Sequence, residues 1–279
     1  MMFKKYDSCQ ISIDTNNLQK EYFKDLFRFR ELFYFFAWRD LLVRYRHTLL
    51  GILWIILRPV INMSIFAFVF GKIAHLNSNE INYPLFVLAG LLPWQLFSSS
   101  LVDASNCLIL NAPIISKMYF PRIILPISQV IVNLVDFSVS MGMLLLLFGV
   151  IGILNHWTIL LFPVFVCMSV ALCLGAGFWI AAINVRFRDF RVIVPFLLQF
   201  GLFISPVGYS SFLVPTGVRV LYFLNPLVGI IEGFRWCCFG IFHPDLPLAI
   251  SISVAITTLF LVTGFNYFRR MERVLADII

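Results

Sequence analysis

Beyond residue 48 the chain is built from long apolar runs separated by short polar connections. The runs fall near 49–71, 84–109, 124–152, 158–183, 192–212 and 246–268. Each is about 20 residues or longer, enough for a helix to cross roughly 30 Å of hydrocarbon. The pattern predicts an all-α membrane protein with six transmembrane helices. Ahead of the first run, Glu21, Lys24, Arg28 and Glu31 recur at spacings of three, four and three. That spacing places them on one helical face, while Tyr22, Phe23, Leu26, Phe27 and Phe33 occupy much of the remainder. The predicted element is an amphipathic helix lying at a membrane interface. A solvated helix against a soluble protein is the alternative. Arg30 departs from the pattern, although its long side chain can snorkel. The organisation is a polar arm (1–20), an interface helix (21–48), a six-span domain (49–268) and a short tail (269–279).

Punctuation refines this outline. Pro93 and Trp94 interrupt the second run and predict a kink. The connection "NAPIISKMYFPRIILP" is bounded by Pro113, Pro121 and Pro126 and reads as one or two helical turns. Gly175, Ala176 and Gly177 allow a close helix approach in the fourth span. Residues 205–244 are apolar yet broken by Pro206, Gly208, Pro215, Gly217, Pro226 and Gly229. Neither half spans cleanly, and irregular backbone at membrane depth needs protein or water around it. Two short re-entrant or interfacial helices on the outer side are expected, with an extra pair of spans as the alternative.

Composition agrees: 61% of the 279 residues are hydrophobic and only 13% charged, too little polar surface for a soluble domain. The formal charge of +7 first suggests nucleic acid or a membrane surface. Position decides for the membrane. Seventeen of the twenty-one Lys and Arg residues lie in the N-terminal segment, the tail and alternate connections. Arg58 lies inside a span, and Lys72, Arg219 and Arg235 fall on the opposite side. The positive-inside rule then puts both termini in the cytoplasm, and nucleic acid is not needed as a partner. The first apolar run starts too late, and without a cleavage motif, to be a signal peptide. The six cysteines offer no metal-ligand spacing. No phosphate loop, HExxH or GxSxG occurs, and His47, His75, His156 and His243 fall near span ends.

Ionisable residues at membrane depth are the candidate chemistry, because each is costly there. Arg58 lies roughly 13 Å into the first span and Asp103 roughly 12 Å from the cytoplasmic end of the second. Their matched depths make a pair possible. The other reading is that Arg58 faces a wet path and attracts an anionic headgroup. Asp136, midway through the third span, divides the same way between packing and path. Trp54, and Phe196, Phe200 and Phe203 on one face of the fifth span, offer aromatic surfaces on which sugar rings stack. Arg39, Arg44 and Arg46 are expected to hold the interface helix at the cytoplasmic headgroups.

Several stretches together resemble one family. "WRDLLVRYRHTLLGILWIILRPV", "NVRFRDF", "SPVGY" and "NPLVGIIEGFRW", in that order, are similar to motifs in the membrane subunits of polysaccharide ABC exporters, the ABC-2 type permeases. The resemblance covers about residues 21–270. It implies a homodimer of six-span subunits in the bacterial inner membrane, working with two separate ATP-binding cassette ATPases. Such a subunit is not an enzyme and holds no cofactor or metal; ATP and Mg bind the partner. The substrate implied is a glycan on undecaprenyl pyrophosphate, with O-antigen ahead of capsule or teichoic acid and a small-molecule exporter of the same family as a further alternative, and membrane lipids are further partners. By position, Lys117, Arg122, Arg186, Arg188, Asp189 and Arg191 would couple to the ATPases. Pro206, Tyr209, Asn225, Pro226, Glu232 and Arg235 would belong to a gate at the outer mouth. A lipid or sugar transferase is the rival from another class, and it would need a convergent carboxylate or His site.

Overall fold

The structure is a computed structural model describing residues 26–46, 51, 53–73, 82–152 and 157–278, with side chains to 272. It is all-helical among those residues. Helix α1 (Arg30–Tyr45) precedes α2 (Leu53–Phe66), which continues as a π-helical segment, Ala67–Ile73. Then come α3 (Tyr83–Leu110), the single turn α4 (Ala112–Ile115) and α5 (Ile124–Ile151). A 3-10 turn leads into α6 (Phe162–Arg186), followed by α7 (Phe190–Ile204), α8 (Thr216–Phe223), α9 (Pro226–Phe239) and α10 (Leu246–Ile278).

Among the described residues five helices are long and apolar enough to cross a membrane, Leu53–Ile73, Tyr83–Leu110, Ile124–Ile151, Trp157–Arg186 and Leu246–Glu272, and the bent pair Thr216–Phe223 and Pro226–Phe239 makes six if it counts as one span. The chain is therefore a multi-pass membrane protein. The fifth predicted span, 192–212, comes out shorter. Helix α7 ends at Ile204, and its 15 residues reach only about 22 Å at 1.5 Å each. The reason is local: Ser205 turns extended and Pro206 follows, so the apolar residues to Val214 cannot continue the helix. Helices α8 and α9 are separated by a 99° bend at Leu224–Asn225. Asn225 caps α9, its side chain accepting from the Leu227 amide, and Pro226 occupies the first turn where its missing N–H costs nothing.

Helix α3 is the centre of the bundle. In its most apolar stretch 72% of residues are buried, against 6% for α2, which therefore lies at the periphery. Helix α3 runs unbroken through Pro93. Its Leu85–Leu96 side packs with residues of α5, α6 and α9 such as Phe137, Leu172 and Phe234. A second apolar cluster joins Phe36 of α1, Leu108, Phe120 and Ile123 to Phe178 and Phe268. Only Phe36 and Ala37 of α1 are buried, while Tyr34, Phe35, Trp38 and Val43 are exposed. Glu21 and Lys24, on which the amphipathic reading partly rested, lie outside the described residues, as do His47, His75 and His156.

Helices α6 and α10 approach closely through two glycines. A Cβ on Gly175 would lie 2.6 Å from the Leu261 amide nitrogen, and one on Gly264 only 2.3 Å from the Gly175 carbonyl oxygen. Backbone cannot yield as a side-chain tip does. Gly264→Ala is therefore expected to lower the thermal denaturation midpoint in detergent by several degrees, about 1–3 kcal/mol of overpacking. Gly142→Ala, which meets open space, should leave it unchanged.

Candidate functional site

A cavity of about 810 Å³ opens between α2, α3, α5 and α7, with the end of α1 at its rim. Helical spacing explains its walls. Trp54, Ile55 and Arg58 come from one side of α2; Gln95, Ser98, Ser99, Val102 and Asp103 line up on α3. Asn133, Asp136, Phe137 and Ser140 do so on α5, and Pro195, Leu198, Gln199 and Leu202 on α7. Residues three and four apart share a helix face, so each helix contributes a stripe.

The ionic centre of the cavity is Arg44. Its guanidinium lies 2.7 Å from Asp103 Oδ2 and 2.7 Å from Asp136 Oδ2, and it donates to Asn133 Oδ1 at 3.0 Å. Asn133 Nδ2 donates to the same Asp103 oxygen at 2.8 Å, and the Tyr45 hydroxyl donates to Asp136 Oδ1 at 2.6 Å. Burial works against the Arg44 charge, but the two carboxylates outweigh it and its pKa stands above the ordinary value. Burial, and then the bond to Asp136, push the Tyr45 phenol well up, so it stays protonated and a donor. Two further contacts fasten α1: Arg39 donates to Asn111 Oδ1 at 2.8 Å, and Gln129 donates to Asp40 at 2.6 Å.

Arg58 stands apart from this network. It is exposed, lines the same cavity, and among the described residues forms no hydrogen bond or ion pair. The pairing of Arg58 with Asp103 considered from depth alone is thus replaced by Arg44 with Asp103. Equal depth does not fix which side of a helix a residue faces, and Arg44 reaches both carboxylates from α1. One guanidinium on two carboxylates leaves the network with one net negative charge.

The other expected residues divide into three groups. Trp54, Arg58, Asp103 and Asp136 come together in the cavity wall. Phe196, Phe200 and Phe203 lie outside that wall, exposed on α7, with Phe203 stacked on Phe66 at 6.5 Å. On the α4–α5 and α6–α7 connections, Lys117, Arg186, Arg188, Asp189 and Arg191 are exposed. Arg122 differs: its amide donates to Glu272 Oε1 at 2.6 Å and its guanidinium to the Glu272 carbonyl at 2.9 Å, bracing α10.

Pro206, Tyr209, Asn225, Glu232 and Arg235 converge at the other end. Glu232 and Arg235 are a buried pair at 3.3 Å, with side chains 5% and 4% exposed. Arg235 also donates to the carbonyls of Val207 at 2.7 Å and Tyr209 at 3.0 Å, and lies 3.6 Å over the Phe86 ring. Glu232 accepts from the Ser211 amide at 2.7 Å. Tyr83 donates to the Gly208 carbonyl, and Asn225 to Ser205 Oγ. The turn 205–211 is thereby held from α3 and α9. No grouping of His, Cys, Asp and Glu able to hold a metal occurs among the described residues.

Reading the sequence missed Arg44 as the hub, together with Tyr45, Asn133, Gln95 and Gln199. One signal was available: two carboxylates at membrane depth with a single intramembrane arginine leave a charge that an interfacial cation has to meet.

An all-helical bundle with several membrane-length helices and a polar cavity, at which Arg44 of α1 meets two carboxylates, defines a multi-pass membrane protein whose interior is arranged around an ionic site. The pattern of the ABC-2 type transporter family matches residues 31–239. The chain belongs to that family. It is 31% identical over 252 residues to the O-antigen export system permease protein RfbA of Myxococcus xanthus, covering 89% of this chain and 96% of that one. A Klebsiella pneumoniae protein of the same name is 28% identical over 247 residues, 86% and 92% of the two chains. The polysialic acid transport protein KpsM of Escherichia coli is 24% identical over 240 residues, 84% and 91%.

Proposed function

We propose that this chain is the permease subunit of an ATP-driven exporter that moves a lipid-linked polysaccharide, O-antigen before capsule, across the bacterial inner membrane. The observation that carries the reading is Arg58: a cation with no hydrogen bond or ion pair among the described residues, lining a polar cavity, in a relative of O-antigen export permeases. An unpaired arginine at membrane depth is stabilised by an anion, and a polyprenyl pyrophosphate supplies one. Arg44 is occupied by its carboxylates, so Arg58 is the group available to the headgroup. Both termini face the cytoplasm, and the cavity rim at α1 is the entrance.

Two copies form the path, and two separate ATPase subunits drive it by engaging the α4–α5 and α6–α7 connections. Lys117, Arg186, Arg188, Asp189 and Arg191 are the contact residues, and Arg122 transmits movement to α10 through Glu272. Because a push does work only where binding differs between two states, these contacts change with nucleotide. The turn 205–211 with α8 and α9 forms the outer gate.

Two experiments test this reading. Reversing the charge at Arg188 and Arg191 together should abolish stimulation of a co-expressed ATPase while membrane insertion stays normal. Undiminished export by that variant would remove the coupling assignment. Arg58→Met should lower export of a pyrophosphate-linked glycan at least tenfold, roughly one strong charge-assisted contact, with dimer stability kept. Loss of the dimer with export per dimer intact would assign Arg58 to packing instead.

A further inference from the structure

The cavity holds a second set of groups that the ionic network does not use. The Gln95 side-chain nitrogen is buried and has no hydrogen-bond partner among the described residues. Among the described residues the Ser99 hydroxyl and the Gln199 carboxamide also make no hydrogen bond, and all three line the cavity. Gln95 and Ser99 are four apart on α3, one above the other on its cavity face. Gln199 lines the cavity from α7, which packs against α3: a Cβ on Gly201 would lie 2.8 Å from the Trp94 ring. Gln95 sits eight residues from Asp103, about 12 Å along the helix and away from the ionic centre. The half-exposed indole of Trp54 supplies an apolar surface in the same cavity.

An uncommitted buried donor costs free energy until an acceptor meets it. Here donors and acceptors without charge line the same cavity as an aromatic face, which is the composition that suits a pyranose: hydroxyl and amide oxygens for the polar groups, ring C–H for the indole. We infer that Gln95, Ser99 and Gln199 form a subsite for the sugar unit next to the lipid pyrophosphate, one step deeper than Arg58. The inference rests on the reading of the cavity as the substrate entrance. It divides recognition in two: Arg58 meets the anionic linkage common to many substrates, and the uncharged stripe reads the first sugar.

The test uses the full chain in lipid nanodiscs and two probes, undecaprenyl pyrophosphate and the same lipid carrying one N-acetylglucosamine, with affinities measured by thermophoresis. Wild type should bind the sugar-bearing probe more tightly. Gln95→Leu should weaken that probe about tenfold, the scale of one or two neutral hydrogen bonds. It should leave the sugarless probe unchanged, which also shows that the fold is intact. Ser99→Ala, the milder change, should reduce the preference about threefold, and Arg58→Met should weaken both probes alike. The subsite is overturned if wild type shows no preference, or if Gln95→Leu and Ser99→Ala leave it intact or weaken both probes equally. In those cases weakening of both probes by Arg58→Met preserves the entrance reading. Failure of wild type to bind either probe removes both.

Discussion

Arg44→Met will detach α1 from the bundle and reduce export to background. The substitution keeps much of the side-chain volume but leaves Asp103 and Asp136 facing each other without a cation. Each also loses a charge-assisted hydrogen bond, normally the stronger kind. The side chains are about 30%, 30% and 23% exposed, so water screens part of the loss. About 2 kcal/mol remains as a working figure, a roughly 30-fold shift between docked and undocked α1. Disulfide trapping between cysteines placed at Arg39 and Asn111, whose side chains are bonded in the wild type, reads docking directly. Arg44→Lys should recover only part of it, because an ammonium cannot present a planar fork to two carboxylates. The triple variant Arg44→Met, Asp103→Asn, Asp136→Asn should restore docking without restoring full export. Unchanged trapping in Arg44→Met would mean that the apolar contacts of Phe36 suffice to hold the helix.

The other large effect is expected at the opposite end. Arg235→Met strands Glu232 in a site where it is 5% exposed and releases the carbonyls of Val207 and Tyr209. Removing one member of such a pair costs about 3–5 kcal/mol. The denaturation midpoint in detergent should fall by roughly 10 °C, allowing about 2–4 °C per kcal/mol for a chain of this size. Glu232→Gln should be milder, since its amide oxygen can still accept from Ser211. The double variant Glu232→Leu, Arg235→Met should recover much of the loss, because a buried ion pair is often replaced by apolar packing at little cost. A midpoint equal to wild type in Arg235→Met would show that the turn 205–211 is held by its other bonds.

These two sites show where a sequence informs and where it stops. The apolar runs located α2, α3, α5, α6 and α10, because helix length and hydropathy are properties of a single segment. The fifth run's helix stops at Ile204 because Ser205 and Pro206 turn the chain, and what nothing local says is that Arg235, far along the chain, holds the carbonyls of Val207 and Tyr209 in that turn. Arg58 and Asp103 were legible as membrane-depth charges. Their lack of mutual contact was not, since depth is read along one helix and facing is decided by how several pack. Phe196, Phe200 and Phe203 share a face as their spacing requires, yet it is the neighbouring stripe of Leu198 and Gln199 that lines the cavity. Arg122 sits where its connection predicted, and its bonds to Glu272 arise from a partner 150 residues later.

The spacing of Arg44 from its carboxylates also orders events during synthesis. Asp103 follows it by 59 residues and Asp136 by 92. At about 5–20 residues per second, the second carboxylate leaves the ribosome some 5–20 seconds after the arginine. Through that interval Arg44 lacks one of the two carboxylates that hold α1 in the bundle. Helix α1 is thus made well before its ionic partners, and its docking waits until Asp136 of α5 has arrived.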